Sequence, residues 1–218
     1  MNYALIVFDW DGTLMDSTGH IVFCMREAIA QLKLPPKRDA EISHIIGLGL
    51  PEAVLTLYPD SSPAAVQQLA DSYRRIWLNH PYQAPLFENA QALLNRLSRQ
   101  CFLGVATGKS RRGLNKVLAE TGLGPLFTQT RCADESFSKP HPQMLTEIID
   151  FCGVSPAETL MIGDTVFDLQ MATNAGADCL AISHGAHPSA QLQSCDPLAI
   201  LPDLHALESW LDSSVAVI

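Results

Sequence analysis

Two aspartates placed at the end of an apolar run are the first residues in this chain that could do chemistry. Asp9 and Asp11 directly follow the apolar residues 4–8. Side chains two apart in an extended segment point to the same side, although a turn at Gly12 can re-aim the second. Two carboxylates about 4 Å apart repel by about 4 kcal/mol at an effective dielectric constant of 20. The pair therefore favours a neighbouring cation.

A third carboxylate follows a later apolar run. Asp164 comes after residues 159–162, and Asp168 lies four positions further on. In an open parallel sheet, ligands bind in the crevice beyond the carboxyl ends of the strands, so these aspartates are expected to meet there. Three carboxylates with no Cys or His at a matching position favour a hard cation in octahedral coordination. The sequence predicts Mg²⁺ as cofactor, with Asp9, Asp11 and Asp164 as the metal-binding residues.

Three further residues add donors at the same edge of the predicted sheet. Thr107 and Gly108 end another apolar run, and Lys139 precedes a proline at the entry to a helix. Their hydroxyl and ammonium groups are suited to the oxygens of a phosphoryl group, whose transfer depends on positioning and on charge stabilisation. A carboxylate can attack phosphorus, and a second carboxylate can protonate the leaving alcohol and later deprotonate water. One of the first two aspartates is then the nucleophile and its neighbour the acid and base.

Alternating strands and helices are expected to position these residues. Short apolar runs predict buried strands at residues 4–8, 102–106, 159–162, 179–182 and 199–201. Helical patterns lie between and after them, at residues 90–97, 114–121, 142–152, 169–175 and 204–211. This alternation predicts the α/β class, with a doubly wound parallel sheet.

One segment interrupts the alternation. Residues 18–84 contain no convincing strand, while residues 21–32, 53–57 and 64–78 have helix-like apolar spacing. We therefore predict a core domain of residues 1–17 and 85–218 and an all-helical insert of residues 18–84.

Composition limits the partners. The 218 residues are 47% hydrophobic and 17% charged, with a net charge of −9, which is typical of a compact soluble protein. No Lys/Arg run favours nucleic-acid binding, and no stretch reaches the roughly 20 apolar residues of a membrane span. The first apolar run lacks the features of a secretion signal. We expect a cytoplasmic protein, monomer or homodimer, that binds a small phosphoester and neither nucleic acid nor membrane.

The chemistry-bearing residues also resemble the motifs of a known family. The segment from Asp9 to Ser17, reading DWDGTLMDS, is similar to the first motif of the haloacid dehalogenase-like superfamily. The later motifs of that superfamily resemble, in order, Thr107-Gly108, Lys139-Pro140 and Gly163-Asp164-Thr165 with Asp168. The helical insert is similar to the small cap of the phosphoglycolate phosphatase-like branch.

The resemblance implies a role for each residue. Asp9 is the nucleophile, and Asp11 is the acid and base and offers a main-chain carbonyl to the metal. Asp164 is a metal ligand supported by Asp168. Thr107 and Lys139 hold the phosphoryl oxygens, with Gly108 beside them. The segment Gly47-Leu48-Gly49-Leu50 lies where similar proteins carry a substrate-contacting loop, and it offers only backbone groups and leucines.

These observations predict a Mg²⁺-dependent phosphatase that hydrolyses a small soluble phosphomonoester, phosphoglycolate-like or a sugar phosphate, through an aspartyl phosphate. A phosphomutase and a pyrophosphatase are alternatives on the same scaffold. A haloacid dehalogenase is disfavoured because halide leaves without a proton donor, so that reaction needs neither Asp11 nor Mg²⁺. A phosphonate hydrolase needs an insert lysine in an apolar pocket, and Lys33 and Lys37 do not show one. A non-catalytic binding protein ranks last.

Overall fold

A six-stranded parallel sheet forms the centre of the computed structural model, which describes residues 3–213. Its strands are β1 (Leu5–Phe8), β2 (Phe102–Thr107), β3 (Gln129–Cys132), β4 (Thr159–Gly163), β5 (Asp178–Ile182) and β6 (Ile200–Leu201). They are arranged in the order β3-β2-β1-β4-β5-β6, and every pairing is parallel. The predicted doubly wound α/β fold is confirmed.

The helices of the described residues cover both faces of the sheet and fill the segment between β1 and β2. They are α1 (Thr18–Gln31), α2 (Asp39–Ser43), α3 (Leu50–Leu57), α4 (Pro63–Asn79), α5 (Ala90–Leu97), α6 (Arg111–Thr121), α7 (Gln143–Cys152), α8 (Val166–Ala175), α9 (Ser189–Gln193) and α10 (Leu204–Ser213). None of these helices is both long and apolar enough to cross a membrane.

Strand β1 shows why the sheet is buried on both faces. Its side chains alternate, so that Ile6 and Phe8 join a core with α5, α6 and α10, while Leu5 and Val7 join a second core with α7, α8 and α9. All four side chains are fully buried. A continuous apolar run is what such a strand requires, and the burial of β1 agrees with that reading.

Strand β3 and helix α2 are absent from the sequence predictions. In β3, Gln129, Thr130 and Arg131 are polar and only partly buried, because the strand lies at the sheet edge and pairs with β2 alone. Edge strands tolerate polar side chains, so apolar periodicity gives little signal there. Helix α2 is only five residues long, which is too short for a helical period to be recognised. Helix α9 has the same length and is likewise absent from the sequence predictions.

Helices α1 to α4 form a unit with its own apolar core. Met25 and Ile29 of α1 pack there with residues of the three following helices, among them Val54 and Leu69. The two chain crossings between this unit and the sheet are paired: Asp16 N donates to Pro85 O and Phe87 N donates to Leu14 O, both at 2.9 Å. The domain boundaries at residues 17/18 and 84/85 remain a prediction, and residues 1, 2 and 214–218 lie outside the described part of the chain.

Candidate active site

The acidic side chains gather where the order of the strands reverses. Asp9 directly follows β1 and Asp164 directly follows β4, and these two strands are hydrogen-bonded neighbours. Asp168 enters from the first turn of α8. Carboxylate oxygens of these three residues lie within 4.8 Å of one another, and all three side chains are buried. Such a switch point is the usual ligand site of doubly wound sheets.

Lys139 is the cation that faces this acidic cluster. Its buried ammonium lies 2.8 Å from Asp9 Oδ1 and 2.6 Å from Asp168 Oδ1. Burial alone would lower the pKa of Lys139, but Asp168 and Asp9 outweigh it and raise that pKa above its usual value. The other Asp168 oxygen accepts hydrogen bonds from the Thr165 hydroxyl and amide at 2.6 and 3.1 Å. Both oxygens of Asp168 are therefore occupied, and this residue holds Lys139 in place.

The cluster carries more negative charge than Lys139 balances. Burial raises the pKa of Asp9 well above its ordinary value, and Lys139 only partly opposes this shift. Burial also raises the pKa of Asp164 to about 7, and Asp168 adds to the effect, while hydrogen bonds from Ala186 N and the Thr13 hydroxyl counteract it.

Asp9 carries the cluster oxygen that lacks a partner within the described residues 3–213. Both Asp9 oxygens are buried; Oδ1 meets the Lys139 ammonium, whereas Oδ2 accepts no hydrogen bond from any described group. A buried, unpartnered carboxylate oxygen is costly, and three carboxylates around one ammonium leave excess negative charge. Oxygen donors with excess negative charge fit a divalent cation, and the carboxylates of Asp9 and Asp164 are the side-chain groups suited to hold it.

Asp11 lies beside this cluster, and its carboxylate accepts hydrogen bonds from residues outside the cluster. Its Oδ1 accepts hydrogen bonds from the Ser17 hydroxyl at 2.6 Å and from Lys109 Nζ at 2.8 Å. The Lys109 ammonium also lies 4.8 Å from the centre of the Trp77 ring of α4. Lys109 was not identified from the sequence, and its position directly after Thr107-Gly108 was the only signal that could have suggested it.

Thr107 and Gly108 place the end of β2 next to the helical insert. Thr107 is fully buried, and its Oγ1 accepts a hydrogen bond from Lys109 N. Gly108 approaches the insert loop so closely that an added Cβ would lie 2.5 Å from Leu48 O and 2.7 Å from Gly47 O. Ser138 Oγ accepts a hydrogen bond from Gly49 N at 2.8 Å. The loop therefore sits directly over the ends of the strands.

A cavity of about 640 Å³ connects the acidic cluster with the insert. Its floor includes Asp9 and Asp11, and its walls come from α1, α4, the loop around Leu48 and the start of α6. This volume falls within the range of small-molecule sites, about 300–1,000 Å³. The structure thus brings Asp9, Asp164, Asp168 and Lys139 together, with Asp11 on the same cavity.

Comparison with known proteins assigns this arrangement to a family. A model of the family described as haloacid dehalogenase-like hydrolase matches residues 6–182. The chain belongs to this family. The sequence resemblance to this family is therefore confirmed.

Relatives of this haloacid dehalogenase-like hydrolase match over nearly their whole length. A Dickeya dadantii protein named "Probable phosphatase IndB" is 33% identical over 206 residues, which are 90% of this chain and 88% of the relative. A phosphoglycolate phosphatase from Psychrobacter arcticus is 26% identical and covers 97% of this chain and 96% of its own. In fold, a hydrolase structure from Pseudomonas syringae has a TM-score of 0.89 at 22% identity, covering 97% of this chain and 98% of its own. The predicted phosphoglycolate phosphatase-like branch and the predicted enzyme class, a phosphatase, are both confirmed.

Proposed function

We propose that this phosphatase hydrolyses a small phosphomonoester through a phosphoryl intermediate on Asp9, with Mg²⁺ as its metal. The observation that carries the proposal is the buried, unpartnered Oδ2 of Asp9 on the cavity floor. An oxygen without a hydrogen bond keeps its lone pairs available for attack on phosphorus. Phosphoglycolate-like compounds and sugar phosphates are the candidate substrates that the sequence suggests.

In the first step, an Asp9 oxygen attacks phosphorus and the bond from phosphorus to the leaving alcohol breaks. Asp11, protonated on Oδ2 while its Oδ1 accepts from Ser17 and Lys109, gives that proton to the alcohol oxygen, and the aspartyl phosphate remains. Lys139 and Thr107 hold the phosphoryl oxygens. Lys139 is suited to this because it is buried and held between Asp9 and Asp168, so its charge needs little reorganisation during the reaction.

In the second step, water attacks phosphorus on the opposite side from Asp9. Asp11 accepts the proton of that water, the bond between phosphorus and the Asp9 oxygen breaks, and free phosphate leaves. Ser17 and Lys109 orient the Asp11 carboxylate through both steps. The insert excludes bulk water while the intermediate exists.

The metal is proposed to be held by Asp9 and Asp164, with the main-chain oxygen of Asp11 that the resemblance implies. When bound, a divalent cation of this kind neutralises charge on the transferring phosphoryl group. The excess negative charge of the aspartate cluster favours this assignment, and the oxygen donors favour Mg²⁺ over softer ions.

Replacement of the nucleophile tests the proposal. We expect Asp9→Asn to lower phosphate release by at least about a thousandfold, because the amide is a poor nucleophile for phosphorus. Melting temperatures in Mg²⁺ and in EDTA would verify that the variant is folded, and intact mass would verify that the introduced asparagine has not deamidated.

Chemical trapping makes the same test without a variant. Hydroxylamine added during turnover should convert an acyl phosphate into a hydroxamate, which peptide mapping can locate. A hydroxamate at Asp9 is the expected result. Substantial turnover by undeamidated Asp9→Asn protein, or a label on another residue, would contradict the proposed nucleophile.

A further inference from the structure

We propose that the physiological leaving group is an apolar alcohol carrying a ring, which fills the cavity beneath the insert. This inference rests on the proposed phosphatase function, and for the same site it favours a ring-bearing apolar leaving group over the phosphoglycolate-like and sugar phosphate candidates. It concerns the part of the cavity away from Asp9, where a leaving group would lie after attack on phosphorus.

The wall that the insert contributes is mainly apolar. Its side chains come from three separate parts of the insert: Ile21, Met25, Ile45, Leu48, Tyr73 and Trp77. Exposed Leu78 also lines the cavity. An apolar ligand that displaces water from large aliphatic and aromatic side chains in a cavity binds more tightly, because apolar surface is removed from water. A short polar leaving group would leave that surface wet.

Within the described residues, each cation that lines the cavity is either paired with a carboxylate or exposed. Within the described residues, Lys109 is paired with Asp11 at 2.8 Å and Arg74 with Asp71 at 2.9 Å. Lys116 lies 3.8 Å from Glu120 of its own helix. Arg112, the remaining lining cation, has an exposed side chain. A short acid such as glycolate, held close to Asp9, would therefore have no buried cation reserved for it.

The volume leads to the same conclusion. A cavity of about 640 Å³ has room for roughly 20 waters at about 30 Å³ each. A two-carbon leaving group would displace few of them, whereas a ring would reach Trp77 and Leu48. Aromatic rings also prefer stacked or edge-on contact with one another, which Tyr73 and Trp77 can offer.

Three phosphate esters of primary alcohols test this inference, because their leaving groups have similar chemistry and differ mainly in size and charge. The probes are ethyl phosphate, 2-phenylethyl phosphate and 2-phosphoglycolate, assayed by phosphate release with Mg²⁺ present. We expect kcat/KM for 2-phenylethyl phosphate to exceed that of either other ester by at least tenfold. One methylene in an apolar pocket already changes kcat/KM by about tenfold or more.

Variants of the apolar wall provide the second readout, the ratio of kcat/KM for 2-phenylethyl phosphate to that for ethyl phosphate. A ratio cancels any effect on the chemical step that both esters share. We expect Trp77→Ala to lower it at least tenfold and Leu48→Ala at least threefold. Leu55→Ala is the matched control, because Leu55 belongs to the insert but is 42% exposed and does not line the cavity.

Two results would overturn the inference while leaving the phosphatase function intact. The first is a higher kcat/KM for 2-phosphoglycolate than for 2-phenylethyl phosphate. The second is a ratio that falls equally in Leu48→Ala and Leu55→Ala. Failure to release phosphate from any ester, p-nitrophenyl phosphate included, would instead refute the proposed function, and the inference would fall with it.

Discussion

Replacing Asp164 by asparagine should stabilise the metal-free protein while it damages the enzyme. Oxygens of Asp9, Asp164 and Asp168 lie within 4.8 Å of one another, and Lys139 balances about one of the three charges. Two unit charges at that distance repel by about 3–4 kcal/mol at an effective dielectric constant of 20. Asparagine keeps the shape, and its oxygen can still accept from Ala186 N, which lies 2.7 Å from Asp164 Oδ2.

Removing one charge should therefore raise the free energy of unfolding by about 2–3 kcal/mol in EDTA at pH 8. That gain corresponds to a melting temperature higher by about 5–10 °C for a chain of this size. The effect should shrink at pH 5.5. Because the pKa of Asp164 is raised to about 7, the wild-type carboxyl is protonated at the lower pH and the repulsion is already relieved.

Thermal unfolding with and without Mg²⁺ measures both sides of this prediction. At a thousand times its Kd, a cation that binds only the folded protein stabilises it by about 4.1 kcal/mol, which exceeds the gain from the substitution. Wild type should show this stabilisation and Asp164→Asn should show little of it. The order of the two melting temperatures should then reverse, and phosphate release should fall at least about a hundredfold in the variant. Asp150→Asn, an exposed control with the same change in net charge, should shift stability by less than about 0.5 kcal/mol. A variant less stable than wild type in EDTA, or an equal Mg²⁺-induced rise of the melting temperature in both proteins, would contradict the proposed charge repulsion and metal site.

The remaining predictions concern the contact between insert and core and the response to acid. Gly108→Ala should lower kcat/KM by about a hundredfold, because its Cβ would push the Gly47–Leu48 carbonyls away. Gly19→Ala is the control: its added Cβ meets no described atom within 4 Å, so kcat/KM should not change. Equal effects of the two substitutions on kcat/KM would contradict the close approach of Gly108 to the insert loop. Burial lowers the pKa of His187 below its usual 6.5, so the unfolded chain takes up the proton first and stability should fall as pH drops below about 6.5, by at most about 1.4 kcal/mol per pH unit. Urea titrations at pH 7.5 and 5 measure this loss of unfolding free energy. The loss should be smaller in His187→Asn than in wild type, and unchanged in the exposed control His205→Asn. An equal loss in all three proteins would count against the role of His187.

The central strands could be predicted from the sequence because burial on both faces demands a continuous apolar run. Strand β1 is the example, since the same four residues that form the run are all fully buried. The edge strand β3 gave no such signal. Its Thr130 and Arg131 are polar and have polar partners beside the sheet. The Thr130 hydroxyl accepts a hydrogen bond from Arg111, and Arg131 donates one to Glu147. Such partners become neighbours only after the sheet has formed.

The candidate site divides in the same way. Asp9 and Asp164 could be placed together because parallel strands bring their carboxyl ends to one edge. Lys109 and Trp77 could not be joined to Asp11 from the sequence. Lys109 is separated from Asp11 by nearly a hundred residues, and Trp77 belongs to the insert. Contacts between segments far apart in sequence leave no periodicity in the chain, so only the three-dimensional arrangement reveals them.

Ser17 illustrates a conflict between folding and turnover. It stands at the start of α1, where a serine hydroxyl commonly accepts from the backbone amides of the first turn, yet its hydroxyl makes no such bond and donates to Asp11 instead. A library of variants at this position, sorted once by resistance to heat and once by rate of hydrolysis, should give two different rankings. Ser17→Ala should keep nearly the heat resistance of wild type and should hydrolyse the substrate much more slowly.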